Sequence, residues 1–137
     1  MNLAIWDIES SSASTDFGSI IEIGGVLVDE NFKEKDRFNL RCRLPEGEIF
    51  QAMALIVNKT SIKKLTQANL SHYQMLAEVE KIFKKWSPAI FLGWSNIGFD
   101  DEMIRKEFFK GIRYPYLTNA APNKRHDGIN IARAAYA

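Results

Sequence analysis

The sequence predicts an α/β fold, a mixed sheet flanked by helices that is left incomplete at its C-terminus. Three observations predict it. Strand-like apolar runs follow one another at short intervals through the first third of the chain. An amphipathic helical pattern opened by a capping serine comes next, and a short apolar strand then leads straight into a further helix. At 137 residues the chain suits one domain, and 46% hydrophobic residues allow a sizeable core.

Leu3 to Ile8 reads as a buried strand ending in acidic residues, followed by a hydroxyl-rich loop from Ser10 to Thr15. Ser19 to Asp29 reads as a second strand, in which Gly24-Gly25 signals a bulge or a close backbone approach. A turn near Glu30-Asn31 leads to a third strand, Phe32 to Leu44, and the short connections imply an antiparallel meander. Thr60 or Ser61 can cap a short helix through Gln67. Ser71 caps a longer one to Trp86, whose apolar set Met75, Leu76, Val79, Ile82, Phe83 and Trp86 recurs at helical spacing until Pro88 stops it. Ala89 to Trp94 is a short strand placed centrally, Ser95 to Gly98 a loop, and Phe99 or Asp100 opens a helix that ends at Gly111. Tyr114 to Lys124 reads as a loop, and Asp127 caps a final helix from Gly128 to Ala137. That helix has no C-cap and no return element, so truncation is expected over a natural terminal helix.

Charge excludes little. The net charge is +1, and Lys106, Lys110, Arg113, Lys124, Arg125 and Arg133 crowd the last third as either a solvated face or a phosphate-facing one. Cys42 is the only cysteine, which excludes an intrachain disulfide and a thiolate metal cluster and leaves a small buried hydrophobe. Met1 runs directly into an apolar strand pattern without a basic stretch, long apolar run or cleavage signature, so a cytoplasmic protein is expected. His72 and His126 read as surface or loop residues, and Trp86 and Trp94 as core residues rather than base-stacking platforms.

Asp7 and Glu9 lie two apart on a strand, so alternation puts both on one face, about 7 Å apart. Carboxylates on a core strand are costly unless solvated, paired or bound to a cation, and oxygen-rich clusters suit Mg²⁺ or Mn²⁺. Asp100 follows a second core strand at the start of a helix. If the two strands are neighbours, it reaches the same cavity. Asp101 and Glu102 read instead as complements to the helix N-terminus.

Trp6-Asp7-Ile8-Glu9-Ser10-Ser11, with Ile20-Ile21-Glu22-Ile23-Gly24-Gly25-Val26 after it, resembles the first motif of the DEDD 3′→5′ exonucleases. Asn96-Ile97-Gly98-Phe99-Asp100 resembles their second, and Asp101 to Arg105, Tyr114-Pro115-Tyr116 and Ala54 to Val57 with Thr60 are similar to the bacterial exodeoxyribonuclease I branch. The resemblance spans nearly the whole chain and implies a ribonuclease H-like fold acting on single-stranded DNA, with RNA as an alternative. It implies two divalent ions, Mg²⁺ or Mn²⁺, clamping the scissile phosphate. Asp7 would be shared by both ions, Glu9 would hold the first and Asp100 the second. Catalysis would rest on the same three acids. Backbone groups near Ser10 and Ser11, with Asn96 and Phe99, would meet the substrate. A short-RNA or proofreading exonuclease, and a non-catalytic nucleic-acid-binding domain, are the competing readings. Self-association through the unfinished C-terminal edge is also expected.

The third motif is absent: a general-base His five residues before a final Asp, or a Tyr four before it. Ala77 stands five after His72 and Ile131 five after His126, and no tyrosine has an Asp at the required offset. The chain therefore reads as the N-terminal part, residues 1–137, of a single exonuclease domain. A missing general base costs about 10²–10⁴-fold. The chain as given is expected to show little or no nuclease activity, and robust 3′→5′ degradation of single-stranded DNA with Mg²⁺ would overturn that expectation.

Overall fold

The computed structural model describes residues 1–136. Ala137, the last position of the expected final helix, lies outside the described residues. The elements run β1 (Asn2–Ser10), β2 (Ile20–Val28), β3 (Glu34–Arg41), α1 (Ala52–Val57), α2 (Ile62–Gln67), α3 (His72–Trp86), β4 (Ala89–Gly93), α4 (Asp100–Lys110), β5 (Lys124–Asp127) and α5 (Gly128–Tyr136). They build a five-stranded mixed sheet in the order β3-β2-β1-β4-β5.

β1 is the centre. It pairs antiparallel with β2, and β2 with β3, as the short connections require. The long connection through α1, α2 and α3 returns the chain to the other side of β1, where β4 pairs parallel in the register Asn2↔Ala89 to Ile5↔Leu92. Strand alternation divides the sheet. Ala4, Trp6 and Ile8 are buried, while Ile5 and Asp7 between them are exposed. The buried face packs on Met75, Val79, Phe83 and Trp86 of α3 and Met103, Ile104 and Phe108 of α4. Phe83 is the hub, edge-on to Trp6 at 5.6 Å and tilted against Phe91 at 4.9 Å.

The sequence order survives, with four differences. β4 ends at Gly93 and lies beside the central strand rather than being it. α1 was not expected. Its six residues are all apolar and none is buried, so they carry no amphipathic period. The expected Tyr114–Lys124 loop ends early because Lys124 begins β5. Lys124-Arg125-His126-Asp127 has no strand pattern of its own and is strand only because β4 pairs with it in parallel. Gly24-Gly25 forms no bulge, since the irregularities in β2 pairing fall at Glu9/Ser10 and Leu27/Val28. The close approach does hold at Gly25, where an added Cβ would stand 3.0 Å from the Ile5 carbonyl oxygen and from the Phe38 ring.

Ser71 opens α3 with a reciprocal capping box, its hydroxyl accepting from Gln74 N at 3.1 Å and its own N–H donating to the Gln74 side chain at 2.9 Å. Ser71→Ala should cost about 1 kcal/mol. Urea denaturation should show a lower midpoint with an unchanged slope. An unchanged midpoint would mean that core packing alone fixes the start of α3.

Candidate active site

Because Ala4, Trp6 and Ile8 face the helices, Asp7 and Glu9 emerge on the opposite face of β1. Register then sets their neighbours. Asp7 pairs across to Gly24 and on to Asn39; Glu9 pairs to Glu22 and on to Arg41. Gly24 leaves the space beside Asp7 open, and a polar hollow of about 310 Å³ forms there among Asp7, Glu9, Glu22, Gly24, Asn39 and Asn58. Glu9 is half-buried, and its carboxyl is pushed up by burial, then by Asp7 and Glu22, against the charge of Arg41.

Asp100 arrives from the other side. Parallel pairing aligns Ile5 with Leu92, so β4 ends one residue short of the level of Asp7, and the loop after β4 turns into α4, whose first residue is Asp100. Asp100 is 6% exposed, and its carboxyl lies against that of Asp7. Burial, that contact, and the charges of Asp7, Asp101 and Glu9 push it up to about 8.

A buried polar frame holds the loop in place. Asp127, at the end of β5, accepts through Oδ1 from Ser95 N at 2.8 Å and Ile129 N at 3.1 Å, and through Oδ2 from Ile97 N at 3.4 Å. Desolvation pushes this carboxyl up, but the backbone N–H groups of Ser95, Ile129, Ile97 and Asn96 outweigh it and leave it low. Ser95 is thereby held at φ 56°, in the left-handed region. Asn96 is fully buried and donates to Asp101 Oδ2 at 3.0 Å, and Thr118 donates to Asp101 Oδ1 at 3.2 Å. Gly93 makes room: a Cβ there would lie 2.6 Å from that of Asn96.

On the far side of Glu9 lies a second hollow of about 340 Å³, walled by Ile8, Met53, Val57 and Phe99, with Glu9, Ser10 and Asp100 at its polar end. α1 supplies the apolar wall. Asn58 Nδ2 donates to the Ser10 carbonyl at 2.8 Å and Gln51 N to that of Ser11 at 3.1 Å, which joins α1 to the end of β1. Glu48 accepts from the hydroxyls of both Ser11 and Ser19 and clasps the base of the intervening loop.

Several expectations need correction. Asn96 cannot touch a ligand with its side chain, because it is sealed under the loop and bonded to Asp101. Ser11 is likewise fully buried, with its hydroxyl, N–H and carbonyl engaged by Glu48, Ser19 and Gln51, and of the two expected serines Ser10 alone lines the hollow. Phe99 both packs on the core and lines that hollow. Asp101 is no solvated dipole partner but a buried anchor, its carboxyl pushed to about 6 by burial against the opposing Arg125 charge and Thr118 bond. Trp94 is 66% exposed, not core, whereas Trp86 is buried. His126 is exposed on β5, but His72 pairs with Glu107, a side chain only 2% exposed. The basic stretch is partly consumed internally, with Lys106 on Asp16 and Arg113 on Glu80.

Sequence reasoning missed the α1 wall, Glu48 and the second role of Asp127. Only α1 left a signal, in the unbroken apolar run Ala52–Val57.

The charged groups around Asp7 are carboxylates, whose oxygens suit a hard divalent ion. Among the described residues, no three His, Cys, Asp or Glu side chains converge on a single ion site. Asp7 lies beside both Asp100 and Glu9 and pushes each of their carboxyls up. Burial first, and then the neighbouring Asp7 carboxylate, oppose the ionisation of Asp100.

The five-stranded order and the acids at the C-terminal ends of β1 and β4 define a ribonuclease H-like fold. Within that class the chain is similar to bacterial exodeoxyribonuclease I. The protein of that name from Buchnera aphidicola (subsp. Schizaphis graminum) is 22% identical over 139 residues, which is 100% of this chain and 29% of the relative. The one from Haemophilus influenzae is 24% identical over 97% of this chain and 28% of its own length. E. coli exonuclease I in complex with a dA16 oligonucleotide superposes with a TM-score of 0.90 at 20% identity, over 98% of this chain and 30% of that one. The same enzyme with a dT13 oligonucleotide gives 0.91 at 19% identity. No family model matches the chain. The chain thus spans under a third of the length of these relatives.

The raised Asp100 pKa has a consequence for stability. The folded chain holds a proton that the unfolded chain has already released, from the ordinary value of 3.8 up to about 8. This contribution is complete below the lower value and is lost as pH rises through the upper one. In EDTA, the Tm should fall from pH 5 to pH 9, and Asp100→Asn should flatten that fall by several degrees. Parallel pH profiles for the two proteins would rule out Asp100 as the source.

Proposed function

We propose that this chain carries the core of a metal-dependent 3′→5′ exonuclease site for single-stranded DNA, and that it is the N-terminal part of one exonuclease domain. The observation that carries the reading is the contact of Asp100 with Asp7 beside Glu9, at a point where an acidic hollow and an apolar hollow meet. The apolar hollow suits a terminal nucleoside, with Met53, Val57 and Phe99 against the base and Ser10 at the polar end. Glu9 lines both hollows and so stands between a terminal nucleoside and the phosphate that joins it to the strand. Asp7, Glu9 and Asp100 would hold Mg²⁺ or Mn²⁺, which supplies Lewis-acid stabilisation of the phosphate charge.

The relatives support the substrate: the E. coli structures contain single-stranded oligonucleotides, and another solved neighbour is described as an ExoI/SSB-Ct complex. Another is a zinc-bound form of the ExoI–DNA complex, in keeping with a divalent-ion site. A non-catalytic DNA-binding domain is favoured by one observation, the missing His or Tyr base motif. No helix among the described residues is long and apolar enough to cross a membrane. α5 has no buried residue and, with exposed Trp94, offers a surface through which a second copy would associate.

The tests are direct. Calorimetry should detect Mn²⁺ binding that Asp7→Asn abolishes. Oligonucleotides with a free 3′-hydroxyl should bind at least severalfold more tightly than 3′-phosphorylated ones when Ca²⁺ is present. Equal affinity for both ends, or Mn²⁺ binding indifferent to Asp7, would sink the exonuclease reading. Cleavage restored by a longer polypeptide carrying His and Asp in the third-motif spacing would exclude the non-catalytic one.

A further inference from the structure

The acidic hollow does not end at Glu9. It shares Glu22 and Asn39 with a neighbouring open groove of about 440 Å³, whose far wall is Arg41, Lys64 and Gln67. The two together make one polar path, from Asp7 and Glu9 across β2 and β3 to α2. Strand register lays it out. Glu9, Glu22 and Arg41 form a single cross-strand row on the face that carries Asp7. At the usual strand spacing, Arg41 is about 9–10 Å from Glu9 along this row.

The charge changes sign along the path. Glu22 is neutralised by Arg41 and also accepts from Asn39 Nδ2 at 3.1 Å. That pairing uses only one end of the guanidinium: Arg41 Nη1 is buried and has no hydrogen-bond partner among the described residues. Lys64 projects from the exposed side of α2 and pairs with no carboxylate among the described residues. The far end therefore holds one net positive charge, from partly buried Arg41 paired with Glu22 and the exposed ammonium of Lys64 on the same groove wall. A fork and a point charge together suit a phosphodiester oxygen pair.

We propose that Arg41 and Lys64 form a phosphate-binding subsite for single-stranded DNA. It takes a phosphate on the 5′ side of the one at Asp7 and Glu9. The inference rests on the exonuclease reading, which puts the 3′-terminal nucleoside in the apolar hollow on the opposite side of Glu9. An exit over Glu22 and Asn39, which line both the acidic hollow and the groove, would carry the strand to Arg41 and Lys64. Contacts of this kind are to backbone and not to bases, so the subsite gives hold without sequence preference.

The test is fluorescence anisotropy of a 5′-labelled oligothymidylate in Ca²⁺ across a salt series, beside dTMP as the one-nucleotide probe. Arg41→Gln with Lys64→Gln should weaken oligomer binding about tenfold at low salt. It should also flatten the dependence of log Kd on log salt by about 0.7, the amount expected when one phosphate is no longer neutralised, and leave dTMP unaffected. Arg41→Lys should restore most of the salt slope, which a purely structural role would not do. If the double variant is poorly folded, Lys64→Gln alone decides, because that side chain is exposed and unpaired and should still flatten the slope. Oligomer affinity and slope unchanged in the variants, with the parent chain binding normally, would overturn the subsite alone. Failure of the parent chain to bind the oligomer at all would overturn the exonuclease reading and the subsite with it.

Discussion

The parallel pairing of β4 with β1 is the constraint on which the site depends. Asp7 and Glu9 come from one strand and Asp100 from a helix more than ninety positions later in the chain. Nothing local brings them together. Four register pairs, Asn2↔Ala89 to Ile5↔Leu92, end β4 one residue short of the level of Asp7, and the loop after β4 then delivers Asp100 at the start of α4. Ligand sites in sheets of this kind form at the carboxyl ends of such strands, because there the loops diverge and backbone groups are left free.

Delivering a carboxylate to another carboxylate is unfavourable, and the fold meets that cost with a rigid frame. The loop from Ser95 to Phe99 is gripped from below by Asp127 and Asp101, both buried and both bonded to groups they hold in position. The two acids differ in chemistry. Asp127 is surrounded by N–H donors and stays ionised easily, whereas Asp101 is desolvated and only partly compensated. Asp100 is the third case, desolvated and facing like charge. Stability and site are thus in tension at one residue, a common arrangement where a cation is needed to complete the charge balance.

The opposite face of the sheet shows the same division of labour. α3 and α4 cover one face with a continuous aromatic core. On the other, Ile5, Val26, Leu92 and Trp94 surround an open hollow beside Asp7. The relatives are more than three times as long as this chain, and the exposed apolar residues there are of the kind that a larger assembly covers. The polar strip on this face, from Glu9 through Glu22 to Arg41, is chemically distinct from that apolar centre.

Much of this was legible in the residues themselves. The meander, the Ser71 cap, the apolar stripe of α3 and the Asp100 start of α4 all follow from short-range rules, because capping, alternation and helical period act within a few residues. The acids were readable as a set only through their motif setting, since a D-x-E pair carries little information alone. Tertiary structure alone decided the rest. β5 is a strand because β4 lends it hydrogen bonds, and α1 is a wall because Asn58 and Gln51 fasten it to β1. Asn96 and Ser11 look like polar site residues and Asp101 like a solvated helix-end charge, yet burial turns all three into fastenings. The sequence by itself determined which groups carry charge and which segments form elements. Only the fold decided which of those charges face water, which face each other and which are sealed in, because desolvation and long-range pairing have no local sequence signature.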